Sequence, residues 1–390
     1  MMVQTTTWRA NAGWASAIPE PDGRVSLVVV LADDVVALPG GADPLGDITD
    51  LWQGQPIVGC STAGQFVGPN LLEPGVTVTV LRFDDTDVRA VHVDVAAAGS
   101  ARRSGRQLAH ALAAPELQSI MVLADGLAVN GSALADGVAD VLPDVDLWGA
   151  LAADGERFSQ TWTLVDGRPR GGHVSGIGFY GDAIEVGHGH GDGWHGIGPE
   201  RWITRSFGNV VERIDDQPPL PLYEEYLGEL AAGLPATASY LPMTIRDLDD
   251  RRSVRSVIHV DDHGGTITMA GDVAQGATAQ FAHATVEALV HSAELAGKEA
   301  SLGERPGPGP DVGHREVAFA FSGSGRRMAL GERVDEELEA VASALGPHVP
   351  LVGCWTYGEI ATDDGRHDVH NQSMTITTLR ERTHGTATHR

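Results

Sequence analysis

The sequence is short of three things, and each shortage closes off a class of protein. Cysteine occurs twice in 390 residues, at Cys60 and Cys354. That excludes a disulfide-stapled secreted scaffold and fits a reducing compartment. No apolar run approaches the ~20 residues a bilayer-spanning helix needs; residues 25–32 are among the longest. Residues 1–18 lack a basic stretch followed by an apolar one, so no secretory leader is expected there. The expectation is a cytoplasmic chain with no membrane insertion. Positive charge is scarce as well: 27 basic against 53 acidic residues, a net charge of −26, with Lys298 the only lysine. Such a surface repels nucleic-acid phosphates and anionic membrane faces, so neither is an expected partner.

What is present is an ordinary globular interior. Hydrophobic residues make up 42% of a chain that is too long for one core. Short Val- and Ile-rich runs alternate with Asp/Gly turns and Ala-rich stretches, which predicts mixed α/β structure. Residues 24–32 read as a strand buried on both faces. Residues 76–82 and 88–95 read as a strand pair joined at 84–87. Residues 101–114 fit a helix stopped by Pro115, 119–124 a buried strand and 132–142 a short helix. The run DDQPPLP at 215–221 interrupts all periodicity and marks a boundary, giving two associated domains, 25–214 and 215–380. Beyond it, 223–231 reads as a helix and 254–260 with 266–270 as a hairpin turning at 261–265. Residues 278–295 carry the longest helical pattern. Residues 303–313, with three prolines, read as a loop.

The most informative feature is an internal echo. Residues 56–66 read PIVGCSTAGQF and residues 350–360 read PLVGCWTYGEI, identical at six of eleven positions. A fainter third copy is LWGALAADGERF at 147–158. Each follows a buried run at a similar distance: VLAD at 30–33, VLAD at 122–125 and VAFAFSGS at 317–324. The recurrent unit is therefore a buried strand, a polar turn, a helix and a second strand ending in a glycine-rich turn. Its two strands are expected to be parallel neighbours in one sheet, so that mixed sheets are built from repeated β-α-β units.

In open parallel sheets ligands sit beyond the carboxyl ends of the strands. The repeated turns lie there, and glycines such as Gly64 let backbone N–H groups approach a guest closely. Cys60, Ser61, Thr62, Trp355, Tyr357 and Glu359 in the turns, with Asp125 and Asp154, are the candidate lining of one small-molecule pocket. The competing reading is that the glycines satisfy turn geometry alone, and that Asn130 is a helix N-cap. Arg326 and Arg327, in SGSGRR, offer bidentate donors to a carboxylate or are a surface pair; the turn lacks the Gly-Lys-Ser/Thr ending of a P-loop. The stretch GHGHGDGWH, with His188, His190 and His195, evokes a metal site, but without nearby cysteine it reads as a glycine-rich loop. His367 and His370 flank a turn at 363–365. Cys60 and Cys354 occupy matching repeat positions, which packing explains better than nucleophilic catalysis.

These residues carry a family resemblance. Residues 56–66 resemble the Gly-Cys-Ser-Thr-x-Gly signature of the FIST N region, and 147–158 its Ala-x-Asp-Gly segment. GWHGIGPERWITRSFGNVV at 193–211 is similar to its Gly-Trp…Thr…Gly-Asn-x-Val passage. Residues 350–360, with His370-Asn371, resemble the FIST C region, whose hallmark is Gly-x-x-x-x-Gly-Glu-Ile followed by His-Asn. The resemblance spans residues 25–379. It implies a non-enzymatic sensory protein for small ligands, amino acids or similar polar molecules among them. It also implies signalling to a separate histidine kinase or similar protein, since no output domain is expected after the C-terminal motif. It leaves two alternatives, a haem-binding nitric-oxide sensor and a cysteine-dependent enzyme; otherwise no cofactor is expected. Two departures stand out: Gln65 where the family often has Glu, and no cysteine before the arginines of SGSGRR.

Overall fold

A buried strand, a helix and a second strand recur three times along the chain, and every copy then continues in the same way. The computed structural model describes residues 1–24, 26–33, 42–72, 74–303 and 315–382; the proline-rich stretch expected as a loop lies, from residue 304 on, outside the described residues. The first copy runs β1 (Met2–Arg9), β2 (Gly13–Trp14), β3 (Ser26–Ala32), α1 (Pro44–Leu51), β4 (Ile57–Ser61), the hairpin β5 (Gln65–Val67) and β6 (Asn70–Leu72), then β7 (Gly75–Arg82). The second runs β8 (Asp87–Asp94), α2 (Val95–Ala98), α3 (Ala101–Leu112), β9 (Leu117–Ala124), α4 (Gly131–Ala139), β10 (Asp146–Leu151), the hairpin β11 (Thr163–Val165) and β12 (Arg168–Arg170), then β13 (His173–Tyr180). The third opens with β14 (Ile184–Gly191) and is interrupted by an insert: β15 (His195–Phe207), β16 (Val210–Ile214), α5 (Pro219–Leu227), β17 (Met243–Arg246), β18 (Arg252–Arg255), β19 (Val257–Asp261), β20 (Thr266–Met269) and β21 (Thr278–His283). It resumes with α6 (Val286–Ala300), β22 (Glu316–Gly323), α7 (Ser324–Leu330), α8 (Val334–Leu345), β23 (Leu351–Thr356), the hairpin β24 (Gly358–Asp363) and β25 (Arg366–His370), then β26 (Met374–Glu381).

The expected parallel neighbours are all found, in one register: Val30 faces Gly59, Val122 faces Gly149 and Ala320 faces Gly353. The glycine is required by the close approach of the partner strand. A Cβ on Gly59, Gly149 or Gly353 would lie 2.2, 1.8 or 2.2 Å from the carbonyl oxygen of Val30, Val122 or Ala320. Each parallel pair is extended by its own antiparallel strand (β7, β13 or β26), but the short hairpins are exchanged in a cycle. The first copy's β5–β6 joins β23, the second's β11–β12 joins β4 and the third's β24–β25 joins β10. The three sheets therefore have one strand order and enclose one core.

Period-two alternation assigns the faces. Leu27, Val29 and Leu31, Met121 and Leu123, and Val317, Phe319 and Phe321 all point into the shared core. Their neighbours Val28 and Val30, Ile120 and Val122, and Ala318 and Ala320 pack outward under the helices. Trp148 meets Phe179 and Phe319 there, at ring separations of 6.1 and 5.9 Å. The insert forms a fourth sheet, ordered β18-β17-β21-β15-β16-β20-β19, with its own core around Tyr223 and Phe281.

Three expectations differ from the structure. Residues 76–82 and 88–95 are strands but not a pair: β7 lies beside β1 and β3 whereas β8 lies beside β13, because the chain passes from one sheet to the next at the turn. The helical pattern over 278–295 divides into β21 and α6, with Thr285 capping the helix through the Ala288 N–H. GHGHG is not a loop but the strand β14. Its alternate glycines give α6 room to lie on it, and a Cβ on Gly189 would be 1.9 Å from the Ala296 carbonyl. The inserted sheet takes strands from both sides of residue 215, with β16 paired to β20.

Substituting alanine at Gly59 should therefore cost about 3 kcal/mol or more, because backbone must move. The same change at Gly155, where φ is +78° and nothing lies within 4 Å, should cost only about 1–2 kcal/mol. Equal losses in denaturant unfolding would refute the close-approach account.

Candidate functional site

The three repeated turns meet, and backbone hydrogen bonds close them into a ring. The Ala63 N–H donates to the Trp355 carbonyl at 2.8 Å, Tyr357 to Leu151 at 3.1 Å, and Ala153 to Ser61 at 3.0 Å. The donors stand at one repeat position and the acceptors at another, so the ring has threefold character. A fourth contact, from the Trp355 N–H to the Gly64 carbonyl at 3.0 Å, locks the first copy to the third.

The ring absorbs most of the polar groups expected to line a pocket. Ser61 Oγ accepts from the Trp162 N–H at 3.1 Å, and Thr62 Oγ1 donates to Asp33 at 3.0 Å. Asp125 accepts from the N–H groups of Leu127, Ala128 and Gly172 and from the Thr161 hydroxyl, which makes it the staple of the turn after β9. Asn130 caps α4 through the Ala133 N–H and also donates to Asp272 of the insert at 2.6 Å. Asp154 accepts from the Gln160 and Ser159 N–H groups, the Ser159 hydroxyl and the Tyr357 hydroxyl. Burial pushes its carboxyl up, but those donors outweigh burial and hold it below the usual carboxylate value. Burial, and then the Asp154 carboxylate, raise the Tyr357 hydroxyl in turn.

Arg326 is not open to a ligand. It and Glu337 are fully buried and paired, and its remaining N–H groups reach the carbonyls of Leu289 and Asp192. Trp355 is fully buried, edge-on to Phe66 at 5.0 Å and beneath the Arg327 guanidinium. Cys60 and Cys354 lie in the shared core. Burial and then the adjacent Cys60 thiol push the Cys354 thiol well up, the opposite of what a nucleophile needs.

Glu359 shows the same inward turn. It accepts from the Thr356 hydroxyl at 3.0 Å and from the Ser373 hydroxyl at 2.7 Å. Burial outweighs these bonds and raises its pKa from 4.5 to about 8, so it is mostly a neutral acid at pH 7. Gln65, at the matching position, ties its turn to β7 through the Gly75 carbonyl and the Thr77 hydroxyl. Gln65 and protonated Glu359 are thus two neutral solutions to one packing problem. Where the turns meet the insert there is a cavity of about 10 Å³, beside Thr356 and Tyr357.

The open volume is elsewhere. A cleft of about 810 Å³ runs between the core and the insert, walled by α4, β14 and β25 on one side and by β17, β18 and residues 272–275 on the other. Sequence reasoning did not place its residues. Arg255, 5% exposed, spans the seam by donating to the Val369 carbonyl at 2.8 Å, with Asp368 3.7 Å away. Arg252 pairs with Asp192, and the Ser132 hydroxyl accepts from the Asp272 N–H. His190 and His370 face the cleft with ring centroids 4.0 Å apart. Burial lowers both pKa values, and for His370 the neighbouring His190 and Arg255 lower it further, so both imidazoles are neutral at pH 7. His370 Nε2 and Asn371 Oδ1 are buried without a hydrogen-bond partner. The sequence signal for this place was the His-Asn pair of the C-terminal motif, which carries no hint of the wall it faces.

Three of the sixteen histidines on which a haem reading could draw, His190, His367 and His370, line this cleft, among arginines and aspartates. A porphyrin needs apolar walls and a free axial imidazole; the His190 and His370 rings lie against each other at 38°, so the lining of this cleft does not fit haem. Among the described residues no group of three or more His, Cys, Asp or Glu side chains could hold a metal ion, and no helix is long and apolar enough to cross a membrane.

A mixed α/β core of this kind, with an inserted sheet and a polar seam, matches a class of sensory domain. The FIST N domain matches residues 27–217 and the FIST C domain residues 219–362. The chain belongs to the FIST family, whose domains are sensory domains of signal-transduction proteins and generally non-enzymatic. No curated protein matches it in sequence.

The raised pKa of Glu359 fixes a sign. The folded state holds a proton that the unfolded state has released between pH 4.5 and about 8, so this group costs stability progressively as pH rises through that window. Glu359→Gln should raise the melting temperature at pH 8 by several degrees relative to wild type and change it little at pH 5. A difference that does not grow with pH would mean that the carboxyl is ionised throughout.

Proposed function

We propose that this chain is a small-molecule sensor whose ligand, an amino acid or similarly small polar molecule, sits in the seam between the three-copy core and the insert. The observation that carries this reading is the cleft of about 810 Å³, a ligand-sized volume at a domain seam whose lining includes His370 and Asn371, each with a buried polar atom that has no hydrogen-bond partner. Such an atom costs about 1–3 kcal/mol, and a small shift of either side chain towards a guest's N–H group recovers it. The walls carry arginines (Arg251, Arg252, Arg255) and aspartates (Asp192, Asp272) together, a complement to a molecule bearing both an acid and an amine. The position also makes a signal. A guest touching both walls favours one placement of insert against core, and that placement is what a separate signalling protein, such as a histidine kinase, reads. No catalytic group is assigned: Cys354 is held as the thiol and Glu359 is committed to Thr356 and Ser373.

The test is a thermal-shift screen over amino acids and small organic acids, followed by calorimetry on the best compound. A true ligand raises the melting temperature with occupancy. Asn371→Ala should weaken binding at least about tenfold, or ~1.4 kcal/mol, with the far-UV spectrum unchanged. Unaltered affinity in that variant would remove the seam as the site.

A further inference from the structure

The small cavity between the turns and the insert, where Ser239 and Ser256 face Tyr357 and Gln372, shares no lining residue with the seam cleft. Its floor is the Tyr357 ring, fixed by a hydroxyl that donates to Asp154 and to the Gly155 carbonyl. Phe158 lies flat on that ring, with centroids 4.5 Å apart and planes 6° apart. Phe158 comes from the turn after β10, which in the second copy is longer than its counterparts. The Asp154 bonds to Ser159 and Gln160 hold the backbone beside Phe158, and Phe158 itself is only partly buried whereas Trp162, the other ring of the turn, is fully buried.

Two backbone observations mark the same spot. Seven non-glycine residues among those described have left-handed φ, and five are aspartates, which tolerate it. The other two are Phe158, at +46°, and Gln372, at +59°, and both line this cavity. For a bulky aromatic that conformation is strained, and such strain gathers at ligand clamps. Gln372 is 3% exposed; its Nε2 donates to Ser256 of the insert, and its Oε1 has no partner. Gly325 is what lets this side chain lie so close, since a Cβ there would be 2.1 Å from Gln372 Nε2. No lining side chain is charged.

We propose that this cavity is a second, concealed binding site for a neutral planar aromatic heterocycle carrying an N–H group. The guest replaces Phe158 on the face of Tyr357 and donates its N–H to Gln372 Oε1. Phe158 is the internal stand-in: it fills the ring-shaped space with the right orientation but no donor, which leaves the amide oxygen unmet. Its departure releases the left-handed backbone at 158. The absence of charge excludes zwitterions, so the guest differs from that of the seam, and the bond to Ser256 connects occupancy to the insert.

Indole and benzofuran, the same shape without the N–H group, serve as probes on the full chain carrying 4-fluorophenylalanine at position 158. Indole should move the fluorine resonance towards that of a solvent-exposed ring. Phe158→Ala should bind indole at least tenfold more tightly than wild type and at least tenfold more tightly than it binds benzofuran. A resonance unmoved by millimolar indole, together with a folded Phe158→Ala chain that takes up neither compound, would overturn the site. Equal affinity for the two compounds in the variant would overturn the role of Gln372, and a Gln372→Leu chain that keeps the preference for indole would do the same.

Discussion

Three backbone hydrogen bonds at the meeting of the repeated turns hold the architecture together. Each connects the end of one parallel strand pair to the end of another, and the cycle closes. Buried N–H and C=O groups cannot be left unmet without a cost comparable to a whole hydrogen bond. No copy can therefore leave the ring without stranding polar groups in the other two. The exchanged hairpins add a second cycle in the same sense, each sheet being completed by strands from a different copy. The matched FIST N and FIST C regions share sheets in consequence, and β5 of the first is paired along its length with β23 of the second. The core behaves as one cooperative body even though its sequence falls into repeats.

The insert stands outside that cooperation. It has its own sheet and core and meets the three-copy body along the seam through polar contacts (Arg255 on the Val369 carbonyl, Asn130 and Ser132 on Asp272, Arg252 on Asp192), beside an apolar edge where Val254 and Ala282 join the cluster around Leu289 and Trp355. An interface of this mixed kind adjusts more readily than a fused core. A guest in the seam competes on equal terms with those bonds. The three-copy body, by contrast, buries a central apolar cluster drawn from all three sheets, which a ligand in the seam does not reach. Rigidity in one body and polar adjustability in its attachment are what a sensor of this size requires.

How much of this was legible depended on whether a residue's reason is local. The echo between 56–66 and 350–360 was visible because its glycine answers a contact present in every copy, the neighbouring strand's carbonyl. The third copy was faint because Ala150 stands where the others have cysteine and its turn is lengthened. The alternation that identified 76–82 and 88–95 as strands is the same whether two strands pair or part, so their division between sheets was invisible. In GHGHG the period-two glycines were the signature of a helix lying on a strand, but abundant glycine suggested a loop first. Most of the candidate site residues lie in the turns that meet, while Arg326 is paired with Glu337 and both cysteines lie in the core, and the polarity of the turns is spent within them. The seam was not legible because its walls come from stretches more than a hundred residues apart, and nothing local distinguishes Arg255 or Asp272 from surface residues.

Function is best sought where the threefold equivalence breaks. At the position facing Cys354, Cys60 and Ala150 in the exchanged hairpins stand Gln65, Thr163 and Glu359. All three are buried, and each bonds to polar groups of its own copy or the next. A motif glutamate that glutamine can replace serves the scaffold and not the chemistry. The copies differ instead further along each turn: the second has a longer loop carrying Phe158, and the third continues into residues 366–373. There His367, His370, Asn371 and Gln372 each retain a buried polar atom without a partner. The equivalent stretches of the first two copies are shorter and leave no such cluster among the described residues. Elsewhere in the fold such atoms are scattered, one to an element or loop. These four atoms, gathered along one strand and its exit, mark where the third copy departs from the other two and where it faces the insert.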